Sequence, residues 1–370
     1  MLEKRDLMKV KLLTTALVLL GCIEAYADSP PAPAYSLIDI GVLPGFTATQ
    51  GSSINALGQV AGYCYTNSPN GTSSQHAFVY RRGKLIDFGS LYNPDIRTIA
   101  TFVNIRGEVT LSYFMPVPPV YFNEYSLLYR NGRFDTLPNG GSVIVGGLND
   151  LGQIAGSFIV HNLGSITYTS AFLLQPNGTA ITLPAFGTVG QSVNGITEDG
   201  RVYGNVGANA VIASVHRTPI ILEGSSNDDI QVNNVGDYVV VSAEPGFFGP
   251  TQLPILHVGA KTINLPPVPG SENSPWLQYY AATGINDFDT VVGYELEQFT
   301  NVLRPFVYLN GTMYNANTLV SLPSPLMQLF QVLGVNDAGQ ILAVGGTSLD
   351  ESDWHTFILS PKAGGHFPRQ

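Results

Sequence analysis

This chain is poor in charge and poorer still in thiols. Only 12% of its 370 residues are Asp, Glu, Lys or Arg, and Cys22 and Cys64 are its two cysteines. No disulfide framework can therefore hold it together, and stability must come from a buried core and from topology. Beyond residue 11 there is no block of Lys or Arg, which argues against a nucleic-acid surface, since such surfaces need clustered positive charge. No apolar run approaches the ~20 residues of a membrane-spanning helix, and no sustained helical periodicity appears anywhere. Catalytic signatures are missing as well. There is no His-Glu-x-x-His, no Gly-x-Ser-x-Gly, no phosphate loop and no dinucleotide fingerprint, and none of the six histidines has a partner at metal spacing. No cofactor and no metal site is indicated.

The early positive charges have their own explanation. Lys4, Arg5, Lys9 and Lys11 precede the apolar stretch "LLTTALVLLG", and "AYA" ends at Ala27. A positive head, a short apolar middle and small residues at −3 and −1 describe a secretory signal peptide over residues 1–27. "LLGC" at Leu19–Cys22 also fits a lipoprotein box, which would leave Cys22 acylated and the protein on an outer membrane. Either way the chain is expected to be exported, to the periplasm, the cell surface or the medium. Cleavage after Ala27 takes away four of 17 Lys/Arg and three of 27 Asp/Glu, leaving a net charge of −11. Cys64 would then be the sole cysteine, and nothing cationic near it in sequence activates it, so it is read as a small buried hydrophobe.

What the chain does have is glycine, proline and repetition. Forty Gly and 25 Pro imply frequent turns. "SINALGQVAG" is rewritten as "FVNIRGEVTL", "GLNDLGQIAG", "GITEDGRVYG", "QVNNVGDYVV", "GINDFDTVVG" and "GVNDAGQILA". The anchors Asn55, Asn104, Asn149, Thr197, Asn233, Asn286 and Asn336 are separated by 49, 45, 48, 36, 53 and 50 residues. Each copy is followed by an apolar strand ("HAFVYRRG", "YSLLYRNG", "SAFLLQPNG", "RPFVYLNG", "HTFILSP"), then a tight turn and a closing strand such as "KLIDFG". Asn-Gly at 131–132, 177–178 and 310–311 predicts type I′ turns, which need positive φ at both positions. Four strands a, b, c and d per ~45-residue period describe a propeller blade. The seventh unit stops after its c strand, whereas "SLIDIG" at Ser36–Gly41 is a d strand standing before the first a strand. The expectation is an all-β, seven-bladed β-propeller of four-stranded antiparallel blades, closed by the N-terminal strand pairing with the last blade. The domain order is a signal peptide (1–27), a Pro/Ala-rich linker (28–35), one propeller (36–361) and a short tail (362–370). Closure in this way also removes an unpaired sheet edge, and a monomer is expected.

The first unit, "DIGVLPGF…SSINALGQVAGY…QHAFVYRRGKLIDFGSL", resembles the bacterial HAF-repeat family of extracellular proteins, with its "DLGTLGG", "IN-x-x-GQVVG" and "HAFLW" patterns. The resemblance spans roughly residues 36–360 and is loosest in the second and fourth units. It implies export and a β-rich repeat, and it brings no catalytic residues to carry over.

Two side-chain groups stand out once strands are placed. The a–b turns carry Asp150, Glu198, Asp199, Asp237, Asp287, Asp289 and Asp337, read as solvated turn residues or as a calcium-binding collar. The b–c and d–a loops of the other rim are rich in aromatics, including Tyr92, Phe247 and Phe248. From this rim Tyr63, Tyr113, Trp276, Tyr279, Tyr280 and Trp354 are the candidate ligand-binding residues, because loops on a rigid scaffold carry function and exposed Tyr or Trp offers broad contact. The resulting expectation is a non-enzymatic binding or scaffold protein that presents this face to a protein or glycan. The alternatives are a polysaccharide lyase or glycosidase on the same scaffold, or a purely structural surface protein.

Overall fold

The computed structural model describes residues 35–362, apart from 67–73, 90–95, 118–120, 163–164, 188–190, 208, 216, 223–229, 245–250, 272–277 and 299. The segment expected to be a signal peptide, Cys22, linker positions 28–34 and tail positions 363–370 lie outside the described residues. The chain begins with β1 (Tyr35–Asp39), and six blades then follow in order. Blade 1 holds β2 (Ala48–Ile54), β3 (Val60–Thr66), β4 (Ser74–Arg81) and β5 (Lys84–Gly89); blade 2 holds β6 (Arg97–Val103), β7 (Val109–Val117), β8 (Tyr121–Arg130) and β9 (Arg133–Thr136). Blade 3 is β10 (Val143–Leu148), β11 (Ile154–Asn162), β12 (Ser165–Leu174) and β13 (Ala180–Thr182). Blade 4 is β14 (Gln191–Ile196), β15 (Val202–Val206), β16 (Asn209–Ser214) and β17 (Arg217–Leu222). Blade 5 consists of β18 (Gln231–Val232), β19 (Tyr238–Glu244), β20 (Thr251–Val258) and β21 (Lys261–Asn264), and blade 6 of β22 (Gln278–Ile285), β23 (Val291–Glu297), β24 (Val302–Leu309) and β25 (Thr312–Asn315). The last unit supplies β26 (Gln328–Val335), β27 (Ile341–Gly346) and β28 (His355–Pro361).

These strands form seven four-stranded antiparallel sheets, and the protein is a seven-bladed β-propeller. Its seventh sheet has the order β1-β28-β27-β26, so the N-terminal strand completes the C-terminal blade. Leu37 lies opposite Leu359 and Asp39 opposite Phe357. The two copies of "LID" are equivalent in three dimensions. Asp87 accepts from Gly89 N and lies 3.2 Å from His76 Nδ1; Asp39 accepts from Gly41 N and lies 2.7 Å from His355 Nδ1. His76 and His355 thus each bind a d-strand aspartate, whereas His257 of the blade 5 c strand meets Thr262 of its d strand.

A four-stranded sheet with two apolar faces must bury both. Each interface between neighbouring blades has its own apolar cluster, for example Val60, Phe78, Leu342 and Ile358 between blades 7 and 1, and Ala61, Ala77, Ala100 and Leu111 between blades 1 and 2. Four blades place a c-strand Phe in these clusters, and Phe78, Phe172, Phe306 and Phe357 are all fully buried. Each ring lies across the b-strand residue directly opposite, Gly62, Gly156, Gly293 or Ala343. A Cβ on Gly62 would stand 2.8 Å from the Phe78 ring and 2.3 Å from Gln50 O, so glycine is required there.

Strand a is innermost, and the a strands line an axial channel of about 280 Å³. Six of them carry a β-bulge at the same place, between Gly51 and Ser53, Ala100 and Phe102, Val145 and Gly147, Val193 and Gly195, Ala282 and Gly284, and Val332 and Gly334. The extra residue sharpens the local twist where the strands converge.

The recurring Asn fastens the ring. Its Oδ1 accepts backbone N–H groups inside its own a–b turn, as from Leu57 and Gln59 to Asn55. Its Nδ2 then donates to the carbonyl of the corresponding residue in the next blade. Asn104 reaches Asn149, Asn149 reaches Thr197, Asn233 reaches Asn286, Asn286 reaches Asn336, and Asn336 reaches Asn55, all at 2.8–3.1 Å. Gly58, Gly107, Gly152, Gly200 and Gly339 have positive φ in these turns, as expected, and in blade 6 Asp289 takes that role at φ +58°. One turn differs from expectation. Asn131-Gly132 and Asn310-Gly311 have positive φ at both positions, but at 177–178 only Gly178 does. Pro176 fixes a negative φ at the second position, and Gly178 N bonds Gln175 O, a four-residue turn rather than type I′.

Replacing Asn336 by Ala leaves the Gln340 N–H without its partner and takes from the Asn55 carbonyl one of its two donors, the other being Gly58 N. The expected loss is about 2–3 kcal/mol in urea unfolding, and an unchanged midpoint would remove the girdle from the stability of the ring. The latch at the seam has a pH signature. The Asp39 hydrogen bond raises the His355 pKa above its usual value, outweighing burial. Burial pushes Asp39 up, but the bonds from His355 and Gly41 bring it below the usual carboxylate value. The histidine contribution is lost as pH rises through the raised His355 value, and the aspartate contribution is lost as pH falls through the lowered Asp39 value. The Tm difference between wild type and Asp39→Asn should therefore be widest between about pH 4 and pH 6.5 and should narrow toward pH 8. A difference independent of pH would contradict the latch.

Candidate functional site

The aromatic rim is only partly what the sequence suggests. Trp354 is 5% exposed; its ring packs on Phe330 and its Nε1 donates to Ser348 O. Tyr280 is 2% exposed and its hydroxyl donates to Glu295. Tyr113 is buried and stacked on Tyr125 at 5.4 Å. These three rings close the ends of blades and offer no contact face, which corrects their reading as ligand-binding residues. Tyr63 and Tyr279 are half-buried on the rim, with Tyr63 5.7 Å from Tyr65. Trp276, Tyr92, Phe247 and Phe248 lie outside the described residues. Cys64 is buried, accepts a bond from Leu43 N, and has its pKa pushed by burial up to about 12, as befits an inert core thiol.

On the same rim blade 6 brings two carboxylates together. Arg304 bonds Glu295 at 2.9 Å and Glu297 at 3.0 Å, and Tyr280 takes the second oxygen of Glu295. Both glutamates are buried. Every oxygen of Glu295 is engaged, so the trio is a clamp between strands rather than an open acid pair.

The acids of the a–b turns have a structural occupation. In blades 2 to 6 the turn's second residue donates its backbone N–H to the side chain at the equivalent position of the next blade. Ile105 donates to Asp150, Asp150 to Glu198, Glu198 to Asn234, Asn234 to Asp287, and Asp287 to Asp337. Among the described residues no three His, Cys, Asp or Glu side chains converge as metal ligands would. Asp289 is the exception in character: burial, then the charge of Asp237, raises its pKa to about 6.

A cavity of about 630 Å³ lies between blades 3 and 4 on the turn rim. Gln153 and Asp199 reach it from a–b turns, Gln175, Val215 and Arg217 from c–d turns, and Leu173 and Ile181 form its floor. Gln153 is held in place by Asn149 and donates in turn to Gln175. Arg201 is fixed by Asp199 at 2.8 Å and by Asn234 O at 2.7 Å. Burial would raise the Asp199 carboxyl, but the Thr197 hydroxyl and Arg201 hold it below the usual range, so it stays a carboxylate. The Ser214 hydroxyl is buried at the edge of the cavity with no partner among the described residues. A second cleft of about 310 Å³, between blades 2 and 3, shares Gln175. Neither cleft was visible in the sequence, because each is assembled from turns of two different blades.

Neither a protein-family model nor a curated protein matches this chain. Solved structures do, as folds. The β-propeller domain of the Trilobed protease from Pyrococcus furiosus matches at 9% identity over 72% of this chain and 86% of that one, with a TM-score of 0.47. The polysaccharide lyase Uly1 matches at 9% identity over 91% and 94%, with a TM-score of 0.46. The six-bladed Aleuria aurantia lectin matches at 11% identity over 76% and 94%, with a TM-score of 0.37. Among the described residues no helix is long and apolar enough to cross a membrane.

The Asp237–Asp289 pair gives a pH test. With a folded pKa near 6, Asp289 binds a proton more tightly folded than unfolded, so wild type loses stability as pH rises from about 4 to 6. Asp289→Gly also fits the positive φ, and its Tm advantage over wild type should grow across that interval and then level off. A flat difference between pH 4 and 7.5 would contradict the coupling.

Proposed function

We propose that the chain is an exported, non-enzymatic glycan-binding β-propeller of the HAF-repeat type, and that it holds its ligand in the cleft between blades 3 and 4. The cleft itself carries this reading. Gln153, Gln175 and Arg217 offer donors and acceptors to sugar hydroxyls, while Leu173, Ile181 and Val215 offer an apolar surface for the C–H face of a ring. An open groove of this size accepts part of a chain rather than enclosing a small molecule.

Binding fits the cleft better than hydrolysis. A glycosidase needs two carboxyl groups about 5–9.5 Å apart, one of them able to give a proton. Asp199 is the one carboxylate lining this cleft, and it is held ionised by Thr197 and Arg201. Release to the cell exterior, or retention at the surface through Cys22, follows from the N-terminal segment as read in the sequence.

A glycan array with the purified protein tests the reading. Arg217→Ala and Gln175→Ala are expected to weaken binding to the retained glycans about tenfold each, with an unchanged melting temperature. Retention that survives both substitutions would move the site elsewhere, and the appearance of shortened or unsaturated products would overturn the non-enzymatic reading.

A further inference from the structure

The a–b turns share one feature that the fold does not need. The third residue of the turn, two after the anchor, is Leu57, Arg106, Leu151, Asp199, Val235, Phe288 and Ala338 in blades 1 to 7. Leu57 is 65% exposed, Leu151 56%, Val235 65% and Phe288 63%, with Ile105 adding 42% beside Arg106. The turn tolerates polar residues here, since blades 2 and 4 carry Arg106 and Asp199. The Asn amides and the turn backbone bonds hold these turns side by side around the channel mouth. Large apolar side chains therefore stand in a ring on solvent, interleaved with Asp150, Glu198, Asp287 and Asp337. Clustered exposed apolar surface of this kind marks an interaction site.

The geometry points to a partner protein that docks here through a cationic, amphipathic segment. Charge complementarity selects that occupant. The carboxylates beside the apolar tips are pinned by backbone N–H groups of the preceding blade, so they cannot swing aside. A second copy of this face would set pinned carboxylates against pinned carboxylates. A lipid bilayer could receive the tips only by drawing the same charges into its surface. A segment carrying Leu or Phe between Lys or Arg satisfies both components of the ring. Arg106 and Arg201 of the a–b turns are paired with Glu108 and Asp199, and the other Lys and Arg of this rim stand farther out, at c–d turns such as Arg82-Gly83 and Arg133, so the cationic occupant must be narrow, of the ~10–12 Å width of one helix. The proposal uses none of the cleft-specific side chains Gln175, Arg217 and Ser214, and so stands or falls separately from glycan binding.

The test uses the intact protein and a fluorescein-labelled 18-residue Leu/Lys amphipathic peptide, followed by anisotropy, with Leu/Glu and Ser/Lys peptides of equal length beside it. The Leu/Lys peptide should bind saturably and more tightly at about 50 mM than at about 200 mM salt, and the other two should not. The combined Leu57→Ser, Leu151→Ser, Val235→Ser and Phe288→Ser variant should lose at least tenfold in affinity while melting as wild type does. Asp287→Asn with Asp337→Asn, which keeps the accepting oxygens, should flatten the salt dependence. Absent binding, binding indifferent to the Ser variant, or equal binding of the Leu/Glu peptide would overturn the proposal. So would a dimer on gel filtration, or sedimentation with phosphatidylcholine/phosphatidylglycerol vesicles, that the Ser variant abolishes; these would assign the ring to a second copy or to a bilayer.

Discussion

The structure depends on one hydrogen bond repeated around a circle, from the side-chain amide of an a–b turn asparagine to the main-chain carbonyl of its counterpart in the next blade. A single bond of this kind contributes about 1 kcal/mol net, yet leaving its buried groups unpaired costs more than that. Asparagine is the residue that can make it. Its oxygen must accept two main-chain N–H groups of its own turn while its nitrogen reaches across to the neighbour. Aspartate lacks the donor, and glutamine would overreach the turn. The ten-residue motif recurs around the chain because most blades offer the same two half-contacts, one forward and one back.

Much of this fold was legible in the chain. The a–b hairpins, the apolar c strands and the detached d strand at Ser36–Gly41 all follow from alternation and turn chemistry, which are local. "SLIDIG" could be matched to "KLIDFG" because both must satisfy the same c-strand neighbour, and the His–Asp pairs are the side-chain form of that match. The reach of Asn336 to Asn55 was not legible, since it spans 281 residues and needs the ring to exist first. The bulges at Ser52, Thr101 and Thr283 leave no mark in a period-two pattern beyond one small or polar residue. Trp354 and Tyr280 show the limit most plainly. An aromatic at a strand end reads the same whether its ring points outward or back onto its own blade, and here Trp354 lies on Phe330 and Tyr280 on Phe306.

The two rims differ in electrical character. Apart from Lys362, which follows β28, Arg97 and Arg304 are the described Lys or Arg side chains that sit at neither an a–b nor a c–d turn, and Arg304 is occupied by two glutamates. The loop rim also carries Asp350, Glu351 and Asp353 in one short segment. A polyanion approaching that side would meet repulsion, whereas the turn rim places its guanidinium and amide groups around open clefts. The side chains that could recognise a ligand are thus carried by the shortest and most regular connections of the chain, which the girdle holds rigid.

The girdle has one break. Asn55 spends its amide on Gln59, within its own turn, and among the described residues no anchor bond runs from blade 1 to blade 2. At blade 4, where Thr197 has no amide to give, the Arg201 guanidinium spans the gap to Asn234. The turn rim is accordingly closed by an anchor bond where blade 7 meets blade 1, whereas the next joint is bridged from the far end of β6, where the Thr98 hydroxyl accepts from Ala77 N and donates to Gly89 O. Thermal breathing at the turn rim should therefore begin as a wedge between the first two blades, with Thr98 as its hinge.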